Sequence, residues 1–175
     1  MGKFHRRPIL RVIPVGLFTI AIQISWFSAV RPFGAVIQIV LALAAASGVP
    51  GGAERGAWMG FVLGVMYDLS TAAPLGQHGL AFGLAGFTAG LVNAVAVYPH
   101  WWLSMIFVAF GGTVGEFSIP VIETFMSDGG GWQGQRLGRI LPVIAVSCAL
   151  FSLLFIPLSR WCLAIRKKRW KVLNQ

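Results

Sequence analysis

The sequence predicts an all-α integral membrane protein with about six transmembrane helices. Hydrophobic residues make up 57% of the 175-residue chain and charged residues 11%. Several windows longer than about 18 residues carry few or no charges, which is the length needed to cross a bilayer core. The formal net charge of +9 is concentrated at the two ends, as in membrane proteins whose basic flanks set their orientation. This pattern argues against nucleic-acid binding.

Six apolar segments follow one another, separated by breaks rich in Gly and Pro. The predicted helices cover residues 12–30, 33–49, 56–72, 79–97, 101–125 and 140–165. They form a single membrane domain, 12–165, between a basic N-terminus, 1–11, and a basic tail, 166–175. The first segment has a basic start like a signal sequence, but it is longer than a typical signal core and no convincing cleavage site follows it. We therefore interpret it as a retained helix.

Six crossings place both termini on the same side of the membrane. Assigning that side to the cytoplasm puts most of the flanking Lys and Arg residues inside and leaves Arg31, Arg136 and Arg139 outside. This orientation satisfies the positive-inside rule, which works best for short flanks such as these. We therefore predict that both termini are cytoplasmic.

The segment 56–90 contains the most informative residues. Gly56, Gly60 and Gly64 lie on the same i, i+4 ridge as Asp68, and small residues at this spacing let two helices approach closely in lipid. Asp68 lies about 16 Å into the membrane at 1.5 Å per residue, where a carboxylate faces protein or a water cavity. We expect it to bond donors on neighbouring helices. A partner or ligand contact is the second interpretation, and proton relay or catalysis is the third.

A second acid, Glu116, lies about 22 Å into the fifth predicted helix. Glu116 and Asp68 could meet in the outer half of the membrane, with Arg31, Arg136 or Arg139 above them. A nearby cation would stabilise such a pair, because two neighbouring carboxylates do not both lose their protons readily without a cation or water.

Little in the sequence points to catalysis, a metal or a cofactor. Asp68 has no second membrane aspartate with which to form a protease pair, and the chain contains no G-x-S-x-G or P-loop motif. Cys148 and Cys162 lie on one predicted helix about 21 Å apart, which is beyond disulfide reach. The three histidines are scattered. We predict a protein that is not an enzyme and that binds no metal or cofactor.

Two further groups of residues each allow two interpretations. The first group consists of the Gly-x-x-x-Gly pairs at 60–64, 86–90 and 111–115. Packing within the chain is the favoured explanation for them, and docking of a partner's transmembrane helix is the other. The second group consists of Gln23, Gln38 and Asn93, which bridge helices or line a ligand cavity.

The stretch that begins at Gly60, GFVLGVMYDLSTAAPLGQHGL, has a recognisable order of features. A glycine-rich helix, an aspartate, a short apolar spacer and a Leu-Gly pair precede another helix. This order resembles the central segment of the rod shape-determining protein MreD family. The positions that match the family pattern are Gly60, Gly64, Asp68, Leu75 and Gly76. The size, the six-helix hydropathy and the basic ends are also similar to those of that family.

The resemblance implies a multi-pass protein of the bacterial cytoplasmic membrane. It implies a non-catalytic scaffold or regulator of the cell-elongation machinery that synthesises peptidoglycan. The implied partners are the single-pass helix of MreC, the RodA–class B penicillin-binding protein complex and, indirectly, MreB filaments. The implied fold is similar to the substrate-binding subunits of energy-coupling-factor transporters, which leaves a small-molecule-binding transporter subunit as the alternative.

From the residues and the resemblance together we predict a set of structural or partner-contact positions. They are Gly60, Gly64, Asp68, Leu75, Gly76 and Glu116. The basic tail 166–171 is expected to orient the protein and to attract anionic lipid, at about 1 kcal/mol per cation.

Overall fold

The computed structural model of the chain describes residues 6–27, 36–71, 73–96, 99–126 and 137–163. The helices in these ranges are α1 (Arg6–Ile22), α2 (Ile39–Thr71), α3 (Gln77–Gly90), the short α4 (Val92–Val95), α5 (Trp101–Met126) and α6 (Leu137–Cys162). A π-helical turn, Gln23–Phe27, continues α1. The described ranges contain no strand, so the all-helical prediction is confirmed.

Helix α2 is a hairpin of two helices rather than one straight rod. Gly52 interrupts it with φ 78° and ψ 173°, a conformation that glycine adopts without steric cost. Pro50 lies two residues earlier and cannot donate a helical hydrogen bond. The backbones of Gly48 and Gly56 are in contact, which two points eight residues apart on a continuous helix cannot achieve. The predicted break at residues 50–52 is therefore confirmed.

The first half of α2, residues 39–51, forms the centre of the molecule. Every residue from Ile39 to Val49 is buried, and a helix that is apolar all round belongs in the interior. Helix α3 packs against both halves of α2, since the backbone of Gly86 contacts Ala44 and Gly56. Helix α5 covers α3 through Gly111 and Gly115.

Helices α1 and α6 complete the bundle. Helix α1 packs through Gly16 against Leu63 and Met66 of the second half of α2. Helix α6 packs against α5 where Cys148 contacts Gly112, and its Ser159 hydroxyl donates to the Ala46 carbonyl at 3.3 Å. The bundle thus places α2 between α3 and α6, with α1 and α5 at its sides.

Two of the polar residues highlighted in the sequence bridge backbone segments. The Gln23 side chain accepts from the Ile39 amide at 2.7 Å and donates to the Ile37 carbonyl at 2.9 Å. The Asn93 amide donates at 2.9 Å to the carbonyl of Val49, near the end of the first half of α2, where helical partners run out. For these two residues the helix-bridging interpretation is the right one.

Three helical segments in the described ranges are long and apolar enough to cross a membrane. They are Gln77–Val95, Trp101–Phe125 and Leu137–Cys162, and Arg11–Trp26 is a shorter apolar helix. The other predicted spans fall on α1 and on the two halves of α2. The second half of α2 contains Glu54, Arg55 and Asp68, which lower its hydropathy. The count of six spans stays a prediction.

Several predicted boundaries are corrected. The second predicted helix, 33–49, starts only at Ile39, since residues 36–38 are not helical. The fourth predicted helix, 79–97, ends at Gly90 and is followed only by the single turn of α4. Helix α6 begins at Leu137 rather than Ile140, so Arg139 lies in its first turn and not in a loop. Because Arg139 is charged, it was predicted to lie in a loop. The first turn of a helix, however, can extend beyond the apolar core of the membrane and so can contain a charged residue. The predicted turn at Arg31, most of the loop before α6 and the basic tail lie outside the described residues.

Candidate functional site

The Asp68 carboxylate lies at the turn between α2 and α3 and is 1% exposed. Its Oδ2 accepts from the backbone N–H of Gly76 at 2.9 Å and of Gly79 at 3.3 Å. Its Oδ1 accepts from the backbone N–H of His78 at 3.2 Å. Because the first N–H groups of a helix have no partner within it, Asp68 caps the start of α3 from the neighbouring helix.

Gly76 explains why the cap comes from another helix. It is the N-cap residue of α3 and has no side chain with which to bond the first turn. Its φ of 96° lies in the left-handed region, which favours glycine. This conformation lets the chain turn tightly, so that the free N–H groups and the positive end of the helix dipole meet the carboxylate. Asp68 and Gly76, both matched to the family pattern, therefore act together.

His78 is the closest side-chain partner of Asp68. Its Nδ1 lies 2.6 Å from Oδ1 of Asp68, and its side chain is 14% exposed. A carboxylate that already takes three N–H bonds accepts here as well, so Nδ1–H donates. The imidazole packs edge-on against Tyr67 at 4.9 Å and Phe82 at 5.6 Å between ring centroids.

This role of His78 was not predicted from the sequence, in which the three histidines are scattered. A signal was present, because a short break between two antiparallel helices brings residues on either side of it face to face. Residues 68 and 78 flank the break at 73–76, so an acid and a base at those positions are candidates for contact.

An oriented imidazole next to a carboxylate is also the base half of a catalytic triad. A triad further needs a hydroxyl or thiol nucleophile bonded to Nε2. In the described ranges no side chain hydrogen-bonds to that nitrogen. The hydrogen bonds of Asp68 to residues 76–79 therefore form a clamp that fastens α2 to α3.

The glycine ridge faces α3 of the same chain. Gly60 and Gly64 are both buried. A methyl group added to Gly60 would meet the Phe82 carbonyl, and one added to Gly64 would meet the His78 carbonyl. The helix backbones are thus in direct contact along the ridge, as small residues allow. A substitution at either glycine would therefore affect a partner protein only indirectly, through the packing of α2 against α3.

Leu75 differs from the other matched positions because its side chain is 65% exposed. It lies in the turn before α3 beside Pro74, which is also exposed. Leu69, in the last turn of α2, is 68% exposed. These three exposed apolar residues, Leu69, Pro74 and Leu75, lie on either side of the break next to the clamp, and we call them the turn surface.

Glu116 shares no described hydrogen bond with Asp68. It lies on α5 one turn after Gly112, which contacts Cys148 of α6. Its charge acts on Cys148 and also on Tyr67, the residue next to Asp68. Its Oε2 is buried without a hydrogen-bond partner, as is Oε1 of Gln38. The expected convergence of the two acids is not seen in hydrogen bonds, since the described partners of Asp68 belong to residues 76–79. Among the suggested cations, Arg139 is exposed on α6, and Arg31 and Arg136 are outside the described residues.

In the part of the chain that the structure describes, no group of three or more His, Cys, Asp or Glu side chains is arranged to hold a metal ion. Cys148 and Cys162 are free thiols and both are buried.

The family described as rod shape-determining protein MreD matches residues 12–162 of the chain. Neither the curated proteins nor the solved structures gave a match.

Proposed function

Because the chain belongs to the MreD family, which acts in rod-shape determination, we propose that it is a non-catalytic scaffold of the peptidoglycan-synthesis machinery. In this proposal it is a multi-pass protein of the bacterial cytoplasmic membrane and acts with MreC. The family is one of shape-determining membrane proteins and is not known as an enzyme family. The observation that carries the proposal is the clamp: Asp68, the main candidate for chemistry, has its hydrogen bonds satisfied within the chain.

The proposed topology has six crossings with both termini in the cytoplasm. A contact between the first and last helices supports it. The Arg11 guanidinium donates to the Trp161 carbonyl at 3.2 Å and lies 5.1 Å from the centroid of the Trp161 ring. The start of the membrane domain and its end therefore lie together, as an even number of crossings requires. The positive-inside rule then favours the cytoplasm for that end.

For the partner contact we propose the turn surface. Leu75 is exposed while its neighbours Gly76 and Asp68 are held in the clamp, so the surface is rigid without being covered by its own chain. Exposed apolar residues on a rigid element are what a single-pass helix such as that of MreC can pack against. RodA, its penicillin-binding protein and, indirectly, MreB would join through that complex.

The test is affinity purification in mild detergent, followed by identification of the proteins that co-purify. We expect MreC to be enriched with the wild-type chain and to be reduced with Leu75→Ser. Leu80→Ser is the matched control, because Leu80 is 53% exposed on α3 outside the turn surface. Failure to enrich MreC with the wild type would refute the scaffold proposal, and equal loss with both variants would refute the turn surface.

A transporter-type ligand-binding subunit is the second candidate. The buried and unpartnered oxygens of Glu116 and Gln38 favour it, because such acceptors call for a donor. Equilibrium binding of a panel of vitamins to the purified protein decides between the two functions. Saturable binding that Glu116→Ala abolishes would support the transporter function, and no binding would exclude it for that panel.

A further inference from the structure

An open groove of about 740 Å³ runs along the first half of α6 and past Ile37. Its wall on α6 consists of Pro142, Val143, Val146, Ser147 and Leu150. Counted from Arg139, which also lines the groove, these residues lie at i+3, i+4, i+7, i+8 and i+11, a spacing that forms one face of a helix. The Ser147 hydroxyl donates to the Ile144 carbonyl at 3.0 Å, so this face has no unsatisfied hydroxyl. The wall is therefore apolar along its length.

The middle of the α6 wall is made of small side chains. Proline, valine and serine occupy the middle of the wall, whereas Leu153 and Leu154 follow beyond its end. Two of the groove side chains are largely exposed, Val146 by 60% and Leu150 by 63%.

One end of the groove is charged. Arg139 lines it there and is exposed. Of the acids in the described ranges, none forms an ion pair with this guanidinium. From Arg139 to Leu150 the helix rises by about 16 Å, close to half of the roughly 30 Å hydrocarbon core of a bilayer.

We propose that this groove binds a phospholipid, with its headgroup phosphate on Arg139 and one acyl chain along α6. The charge complements a phosphate, because a guanidinium binds phosphate oxygens through two parallel N–H bonds. The apolar length matches a chain that extends from the headgroup toward the bilayer centre. A partner's transmembrane helix would match the apolar face, but it would not explain the cation at one end of the groove. The site lies at the opposite end of α6 from the basic tail and does not depend on the scaffold function.

The main test counts lipids that remain bound to the full-length protein. The protein is purified in mild detergent, incubated with dioleoylphosphatidylglycerol and examined by native mass spectrometry. Val146→Trp fills the groove, and Leu153→Trp is the matched control. Leu153 lies two turns further along the same face, is 56% exposed and does not line the groove. We expect Val146→Trp to lose most of the retained lipid and Leu153→Trp to behave as the wild type.

Arg139→Gln tests the headgroup contact. We expect it to weaken retention about fivefold, the factor that corresponds to one surface cation near an anionic lipid. Dioleoylphosphatidylcholine has the same phosphate without a net negative charge, and its retention should also fall with Arg139→Gln. Retention that is equal in Val146→Trp and Leu153→Trp would overturn the groove assignment, and lipid binding that is unaffected by Arg139→Gln would overturn the phosphate contact.

A second measurement needs no substitution and so does not depend on the folding of a variant. In proteoliposomes, a phosphatidylglycerol with a photoactivatable group in mid-chain should crosslink more often to residues 142–150 than to residues 153–154. Equal crosslinking of the two segments, or capture of residues 142–150 by a polypeptide instead of lipid, would refute the proposal.

Discussion

Replacement of Asp68 separates a structural clamp from a proton-transfer role. Asp68→Leu removes the acceptor for three backbone N–H groups and for the His78 imidazole at once. The side chain is 1% exposed, so water cannot easily replace it. Each buried donor left without a partner costs about 1–3 kcal/mol. We expect the leucine variant to lose about 4 kcal/mol or more, allowing for partial relaxation of the turn.

Asp68→Asn should cost much less. The amide keeps one acceptor oxygen, which can hold the Gly76 and Gly79 N–H groups that now bond Oδ2. Its NH₂ group can donate to Nδ1 of the His78 imidazole if the ring takes the other tautomer. Only the bond from the His78 backbone N–H is then lost, at about 1–2 kcal/mol.

The assay is thermal unfolding in detergent with a thiol-reactive fluorogenic dye. Cys148 and Cys162 are free and buried, so they react when the bundle opens. For a domain of this size, 1 kcal/mol shifts Tm by about 2–4 °C. The asparagine variant should therefore melt about 2–8 °C below the wild type, and the leucine variant about 8–16 °C below it.

The two variants also define the result that would refute the reasoning. If Asp68→Leu melts with the wild type, the hydrogen bonds to α3 contribute nothing to stability and the clamp is wrong. If both variants are stable but both fail to support rod shape in cells, the ionised acid has a role such as proton relay. Serine in place of Leu69, which is 68% exposed, is the control and should leave Tm unchanged.

Packing and polar contacts elsewhere give further tests. Gly60→Ala should lower Tm by about 4 °C or more through overpacking, because the added methyl group meets the Phe82 carbonyl. Gly83→Ala is the control and should not lower Tm, because its methyl group would lie 3.4 Å from the nearest neighbour. Equal melting of these two variants would contradict the packing argument. Gln23→Leu removes both side-chain bonds to residues 37 and 39 and should cost about 2 kcal/mol in the same dye assay; an unchanged Tm would show that these bonds are dispensable. Reporters fused to either terminus should both give a cytoplasmic signal, and a signal on opposite sides would exclude an even number of crossings.

Much of the fold could be predicted from the sequence. Apolar windows and their Gly-Pro breaks predicted an all-helical membrane protein and the break at residues 50–52, because length, hydropathy and backbone chemistry are local properties. The burial of Asp68 against protein donors followed from the cost of a carboxylate in lipid. The i, i+4 ridge of glycines predicted close helix contact, since spacing alone defines a helix face.

The identity of each neighbour was decided only by the tertiary structure. Spacing defines the face on which Gly60 and Gly64 lie, but only the hairpin shows that α3 covers them. The partner of Asp68 depended on the left-handed turn at Gly76, which brings His78 within 2.6 Å of the carboxylate. Only the rotation of α5 shows that Glu116 lies close to both Cys148 of α6 and Tyr67 of α2. Hydropathy measures depth along the membrane normal but carries no information about the rotation of a helix around its axis. The sequence therefore determined which segments are helical and apolar, and the packed bundle determined which of their residues are buried and what they touch.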